Sequence, residues 1–316
     1  ARTWFDVSRP GFHELNSVEQ RTGPEGEQFQ LVRFVIQSAR GQAEWALPPW
    51  TPLPPVASGQ ALNANAAGTV RLELFMPTSF PAGLPVPMVA MMMDLQNRRV
   101  NFNGQIKGEH SIAMKRGVGS GLLDQVESKK IVLKAGSLSA DKTITIGNAK
   151  WQAVQGPVTK STTWNEGSRI HVTSNLTVAK SATLIIKQGC VIKLAPKTEV
   201  TVLGKLIVEG TKKTPVVFCP ETPDAPWGGI TLKGSAASAE ASWAFVTGSG
   251  GNSWWFVANN VPGTHRNEQA AFFLGEGAKG AFADCFFIDN AGQAFHGESA
   301  QLTLDRCVVQ RCQTVG

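Results

Sequence analysis

Between Gly68 and about Ala135 apolar and polar residues alternate with the period of two that a half-buried strand requires. Val70, Leu72, Leu74 and Met76 alternate with Thr69, Arg71 and Glu73. The run VPMVAMMMDL (residues 86–95) is more continuously apolar, as a buried strand would be, and HSIAMKRGVGSGLL and KKIVLKAG supply further strands broken by Gly and Asn. Short, regular strands without helical periodicity predict an antiparallel sandwich. Upstream, GEQFQLVRFVIQSA (residues 26–39) alternates as one strand, and LPPWTPLPPV (47–56) is an extended Pro-rich segment. Residues 1–150 are therefore expected to form a β-sandwich-like domain with an irregular N-terminal segment, and residues 151–168 a linker. The cluster Met91, Met92 and Met93 reads as core filling.

From Arg169 the texture changes. RIHVTS, NLTV, ATLIIK, CVIKL, EVTVL, KLIVEG and PVVFC follow one another, each four to six residues long and rich in β-branched side chains, with only a few turn residues between. Parallel strands in an open sheet need crossovers of about a dozen residues, and no such segment intervenes. A coil that winds round and stacks on itself escapes the requirement. Near the end, AFADCFFIDN aligns with TLDRCVVQRC: Phe282 falls on Leu304, Cys285 on Cys307, Phe286 on Val308 and Phe287 on Val309, each at an offset of 22 residues. The fold class expected is all-β, the sandwich followed by a right-handed parallel β-helix over residues 169–316. The chain stops at Gly316 on a fresh repeat, which leads to the expectation of a truncated solenoid or of self-association through its uncapped end.

Composition narrows the picture. Hydrophobic residues make up 42% and charged residues 17%, so the chain is globular and not disordered. No stretch approaches the roughly 20 apolar residues of a membrane-spanning helix. The net charge of +6 is unevenly spread: residues 129–213 hold thirteen Lys and Arg169 against Asp141, Glu166, Glu199 and Glu209. Such a basic middle either attracts an acidic polysaccharide or cell-wall polymer or is a solvated face that keeps strand edges soluble. Lys180, Lys187, Lys193 and Lys205 are expected to point outward. The five cysteines form no C-x-x-C pair, and no zinc ribbon, triad, P-loop or dinucleotide fingerprint is present. No metal or cofactor is expected, and no catalytic residue is assigned.

The densest polar group follows Trp254 and Trp255: His265, Arg266 and Glu268, then His296 and Glu298 about one coil later. Three readings stand. Tryptophans with hydrogen-bonding groups suit a sugar-binding face, and a carboxylate or His base suits a glycosidase or lyase. Alternatively the aromatics anchor an inserted loop, residues 248–269, whose polar groups satisfy its backbone. Trp227-Gly228-Gly229 reads as a tight turn under a buried indole.

The stretch from GSRIHVTSNLTV through PVVF to WGGI (Trp227 to Ile230), with AGQAFHGE and LDRCVVQRC beyond, resembles a module of large secreted surface proteins of planctomycete and verrucomicrobial type. Relatives there often carry lamin-tail domains or a kinase-like domain similar to spore coat protein H. No kinase motif appears here, so that activity is not implied. The resemblance implies a secreted or cell-surface protein, structural or adhesive in role, that engages polysaccharide through the β-helix and not nucleic acid. The alternative is a carbohydrate-active enzyme, a polysaccharide lyase or glycoside hydrolase using the β-helix groove.

Overall fold

The computed structural model describes residues 70–312, apart from 96, 98, 101, 109, 125, 126 and 262–267, together with the backbone of three earlier strands. Contacts divide the chain into two compact units, residues 1–55 and 56–316. In the first, His13–Thr22, Gln28–Ser38 and Gly41–Trp45 form an antiparallel three-stranded sheet. The alternating segment noted in the sequence is its central strand. The Pro-rich segment 47–56 lies outside the described residues.

In the second unit the chain from Arg169 winds as a three-sided parallel β-helix. The all-β class with a parallel β-helix is thus the observed fold, with a single four-residue helix among the described residues. One face stacks 170–172, Val191–Leu194, Val216–Pro220, Ala244–Thr247, Phe286–Ile288 and Val308–Gln310. A second stacks 176–178, Val200–Val202, Ile230–Leu232, Phe272–Leu274 and Phe295–Gly297. The third runs through Thr183–Lys187, Lys205–Glu209, Ser238–Ser242, Lys279–Ala283 and Gln301–Asp305. The segment expected as a linker is the first coil instead. Gln152–Val158 pairs in parallel with Arg169–Val178, and Thr162–Trp164 with Thr183–Lys187. Its Pro, Thr and Gly content disguises strands that have a neighbour on one side only.

The 22-residue offset holds where it was read, since Phe286 pairs with Val308 and Phe287 with Val309. The same offset joins Arg169 to Val191 and Thr183 to Lys205, the coils between lengthen, and the longest step, Ile230 to Phe272, carries the inserted segment. Inside the coil Phe272, Phe282, Phe287 and Phe295 pack with ring centroids 4.4 to 6.2 Å apart. Cys285 is buried in this core and Cys307, half-buried, packs against it, so the two cysteines do face inward at equivalent places. All five cysteines are free thiols.

The three faces differ in what covers them. On the third, residues alternate, with Leu206 and Val208 inward and Lys205, Ile207 and Glu209 outward. On the first, consecutive residues are buried, as in Val216-Val217-Phe218-Cys219 and Phe286-Phe287-Ile288. A strand apolar on both sides needs cover on both sides, and residues 70–147 supply it. Val70–Phe75, Val86–Asp94 and Val118–Leu123 form an antiparallel sheet. Behind it lies a five-stranded sheet that includes Lys129–Ala135 and Leu138–Gly147. Leu72, Leu74 and Met92 join Ile106, Ile131 and Leu133, and the same core takes in Val191, Val217, Phe245, Phe286, Ile288 and Val308 of the coil. The sandwich is therefore a lid on the first face. The boundary expected at residue 150 separates strands that share one core.

Candidate functional site

The inserted segment folds back on the second face. Trp255–Ala258 make one helical turn, α1. Trp255 and Phe256 are buried against Phe273, at centroid distances of 4.9 and 6.2 Å, and the His296 ring stacks on Phe273 at 5.6 Å. Phe273 and His296 are register partners on adjacent coils. Polar groups then lock the strap. Glu199 Oε2 accepts from Trp255 Nε1 at 2.6 Å and from Gln269 Nε2 at 2.8 Å, and its Oε1 accepts from Thr201 Oγ1 at 2.9 Å. Asn252 Nδ2 donates to Gln269 Oε1 at 2.7 Å and to the Lys197 carbonyl at 3.0 Å.

This arrangement separates the sequence candidates. Trp255 is held inside the clasp, with no ring face left for a sugar, whereas Trp254 is 64% exposed. His296 is half-buried, its Nδ1 3.1 Å from Gln293 Oε1, and burial pushes its imidazole below the ordinary value. Glu268 and Glu298 are half-buried, and His265 and Arg266 lie outside the described residues. Glu199 and Gln269 do most of the fastening. Glu199 was invisible as a partner because it sits 56 residues before Trp255. Trp227 is fully buried and donates from Nε1 to the Thr247 carbonyl at 2.8 Å. Gly228 and Gly229 serve close approach and not a turn: a Cβ on Gly229 would lie 2.1 Å from the Ala270 carbonyl oxygen.

The lysine column is interleaved with acids. Lys187 pairs with Glu209, Lys205 with Glu240 at 2.7 Å, and Lys193 lies 4.5 Å over the Trp151 ring and 3.9 Å from Glu221. His171 Nε2 is 3.1 Å from the same Glu221 carboxylate without the alignment of a hydrogen bond. Lys180 is exposed.

A further concave site lies elsewhere, along the seam between sandwich and coil, in a cleft of about 630 Å³. Its geometry follows from how the coil turns its corner between third and first faces. Trp243, Asp284 and Arg306 take left-handed φ values of 49°, 54° and 51° at equivalent corners of successive coils. One left-handed residue makes the corner tight and points its side chain outward, into the cleft. Lys212 lies on the corresponding corner one coil earlier. Opposite stand residues of the sandwich strands: Glu73 and Phe75, then Met91 and Met93 in register with Glu73 and Arg71. Of the methionine trio only Met92 is core, and its neighbours, half-buried, face the cleft.

The floor is aromatic, with Phe75 5.8 Å from Trp243 and 5.5 Å from Phe286. The rim is cationic. Arg306 grips Asp284 through two bonds of 2.8 Å, and Glu73 receives Arg71 and Lys212 at 2.7 and 2.9 Å. Burial works to raise the Glu73 carboxyl, but the bonds from Lys212 and Arg71 outweigh it and hold it below its ordinary value. Lys142 is pushed down by burial and by the neighbouring ammonium of Lys212, with Lys213 adding to the effect. Arg99 completes the rim, exposed. Sequence reasoning missed this site because its residues come from two sheets and four coils.

Among the described residues no three His, Cys, Asp or Glu side chains gather as a metal site. No helix among them is long and apolar enough to cross a membrane. Residues 156–252 match the family model for a pectate-lyase like beta helix domain. No curated protein and no solved structure matches the chain.

Proposed function

We propose that this chain is a secreted or cell-surface polysaccharide-binding protein, adhesive or structural in role, and that the seam cleft holds a segment of an acidic glycan. The observation that carries the reading is the combination of an aromatic floor and an excess of cations. Trp243, half-buried, offers its indole to a sugar ring, with the buried Phe75 and Phe286 packed behind it. Arg99, Lys212 and Arg306 line the cleft against Glu73 and Asp284, with Arg71 and Lys142 beside Glu73 and Asp305 beside Arg306. Four successive corners, from Lys212 to Arg306, give the cleft a length of about 14 Å at roughly 4.8 Å per coil, which suits an oligosaccharide and not a single sugar. The matched β-helix model, whose description names pectate lyase, and the resemblance to large bacterial surface proteins both support a polysaccharide partner.

Binding is favoured over catalysis because the carboxylates at the coil corners are occupied. Asp284 is gripped by Arg306 and Asp289 by Arg311, each through two bonds. Neither is left to act as acid or base. The test is a glycan array comparing uronate-rich, sulfated and neutral polymers, with product release measured in parallel. Acidic glycans are expected to bind with affinity that falls steeply with salt, without release of shortened products. Arg99→Ala and Lys212→Ala, both at exposed positions, should each weaken binding by about 1 kcal/mol, roughly five-fold. Equal binding of neutral glycans, or variants that bind as well as the parent, would refute the cleft as the site. Product release would establish the enzymatic alternative.

A further inference from the structure

A second cavity lies on the other flank of the lid, where the coil turns from its first face to its second. It holds about 500 Å³, within the roughly 300–1,000 Å³ of small-molecule sites. Gly248, Asp289 and Arg311 stand at this corner on successive coils, with left-handed φ values of 63°, 55° and 51°. The Gly248 amide donates to the Asp289 carbonyl at 3.1 Å, and the Asp289 amide to the Gln310 carbonyl at 3.2 Å, which holds the corner in register. Asp289 and Arg311 are the charged side chains among the described residues that line the cavity, so it carries no net charge. Its walls are apolar and stiff: Pro220 and Pro223 from the coil, Pro85 and Leu122 from the lid.

Gly121 points to a ligand. It lies in the lid strand Val118–Leu123, paired with Met88 in unbroken register. Its φ is not left-handed, and an added Cβ would meet nothing within 4 Å. Gly248 differs on both counts: its φ is positive, and a Cβ there would lie 2.6 Å from the Pro220 ring. A glycine inside a strand costs stability, and it marks a bulge, a tight bend or a place where another group comes close. No bulge and no protein atom accounts for Gly121. What its missing side chain leaves open is the cavity that it lines.

We propose that this cavity binds a neutral pyranose, two neighbouring hydroxyls on the Asp289–Arg311 pair and its apolar face against the proline rings. Arg311 donates to the Asp289 carboxylate from Nε at 2.5 Å and from Nη2 at 2.7 Å, and from Nη1 to Ser120 Oγ at 3.0 Å. A guanidinium has five N–H donors and a carboxylate about four lone-pair positions, so about two donors and two acceptors remain. A ring hydroxyl both donates and accepts, so two adjacent hydroxyls match that mixed set. The neutral pair gives an ionic ligand no advantage. Because the pair is already fixed by its own bonds and by Ser120, which is buried, little ordering is left for the ligand to impose.

Methyl glycosides of glucose, galactose, mannose and xylose would be titrated into the full chain and followed by saturation-transfer NMR. At least one is expected to bind, with an affinity indifferent to salt because no net charge is screened. Gly121→Phe fills the cavity from the lid and should weaken that binding about ten-fold or more, with melting temperature and acidic-glycan binding unchanged. Pro223→Trp, at an exposed position on the coil side, should act alike and serves if Gly121→Phe does not fold. No binding by the parent, a steep fall of affinity with salt, or binding that a folded variant leaves as strong as in the parent would overturn the proposal. The seam cleft lies on the opposite flank, so failure of acidic glycans to bind there leaves this test and its outcome intact.

Discussion

His296 shows how one side chain ties the strap to the coil and makes that tie depend on pH. Its ring stacks on Phe273 and meets Phe256 edge-on at 4.8 Å, in surroundings that disfavour a charge. Burial pushes its pKa below the ordinary 6.5. Near pH 6.5 the unfolded chain therefore takes up a proton that the folded protein still refuses. Stability contributed by the neutral ring is full above that value and is lost as pH falls towards the folded value. Melting temperature measured between about pH 7.5 and pH 5.5 should drop for the parent and drop less for His296→Phe, which keeps the aromatic stack without the titration. Parallel curves for the two proteins would show that His296 does not set the slope.

At the scale of elements, the strap over the second face is a clasp, and Glu199 is its fastening point. Three donors converge on one carboxylate, from α1, from Gln269 and from Thr201. Glu199→Gln keeps the shape but turns an amide NH2 towards those donors. Bonds to a charged acceptor are worth about 1.5–3 kcal/mol each, so urea denaturation should show a loss of that order, while glycan binding at the distant seam stays unchanged. Loss of binding with intact stability would mean that the strap is itself the site. The strap was legible in sequence, because a long Gly- and Asn-rich insertion holding Trp255 and Phe256 has to pin its aromatics somewhere. The coil was legible too, because its third face alternates and its last rungs repeat at a constant 22 residues. The first coil was not: a terminal rung needs fewer β-branched residues, and Pro157 and Gly156 read as linker. Trp243 and Arg306 gave no sign either, since a left-handed corner residue is set by the path of the chain and not by its own side chain. The double-sided burial of Val217, Phe245 and Phe286 was written in the unbroken apolar runs, but what covered them was not.

For the molecule as a whole, the lid changes how the solenoid should unfold. In a bare solenoid each coil touches only its neighbours, and unravelling can begin at an end and stop anywhere. Here one apolar layer runs from Val191 to Val308 under the sandwich, so five successive coils are joined to the same body. Phe286 lies at the centre, 1% exposed, stacked on Phe245 at 4.6 Å and tilted against the sandwich's Phe75 at 5.5 Å. The described strands from Val70 to Gln310 should therefore lose structure as one cooperative unit. Phe286→Glu places a carboxylate in that layer, a cost of several kcal/mol when it finds no partner. Native-state hydrogen exchange reads the consequence strand by strand. Amides of Lys129–Ala135 in the sandwich and of Val216–Pro220 in the coil should lose protection together and by similar factors in the variant. Sandwich amides that open while those of the coil keep the parent's protection would show the lid to be a separable domain resting on an independent solenoid. The shared core would then be a contact surface and not a source of cooperativity.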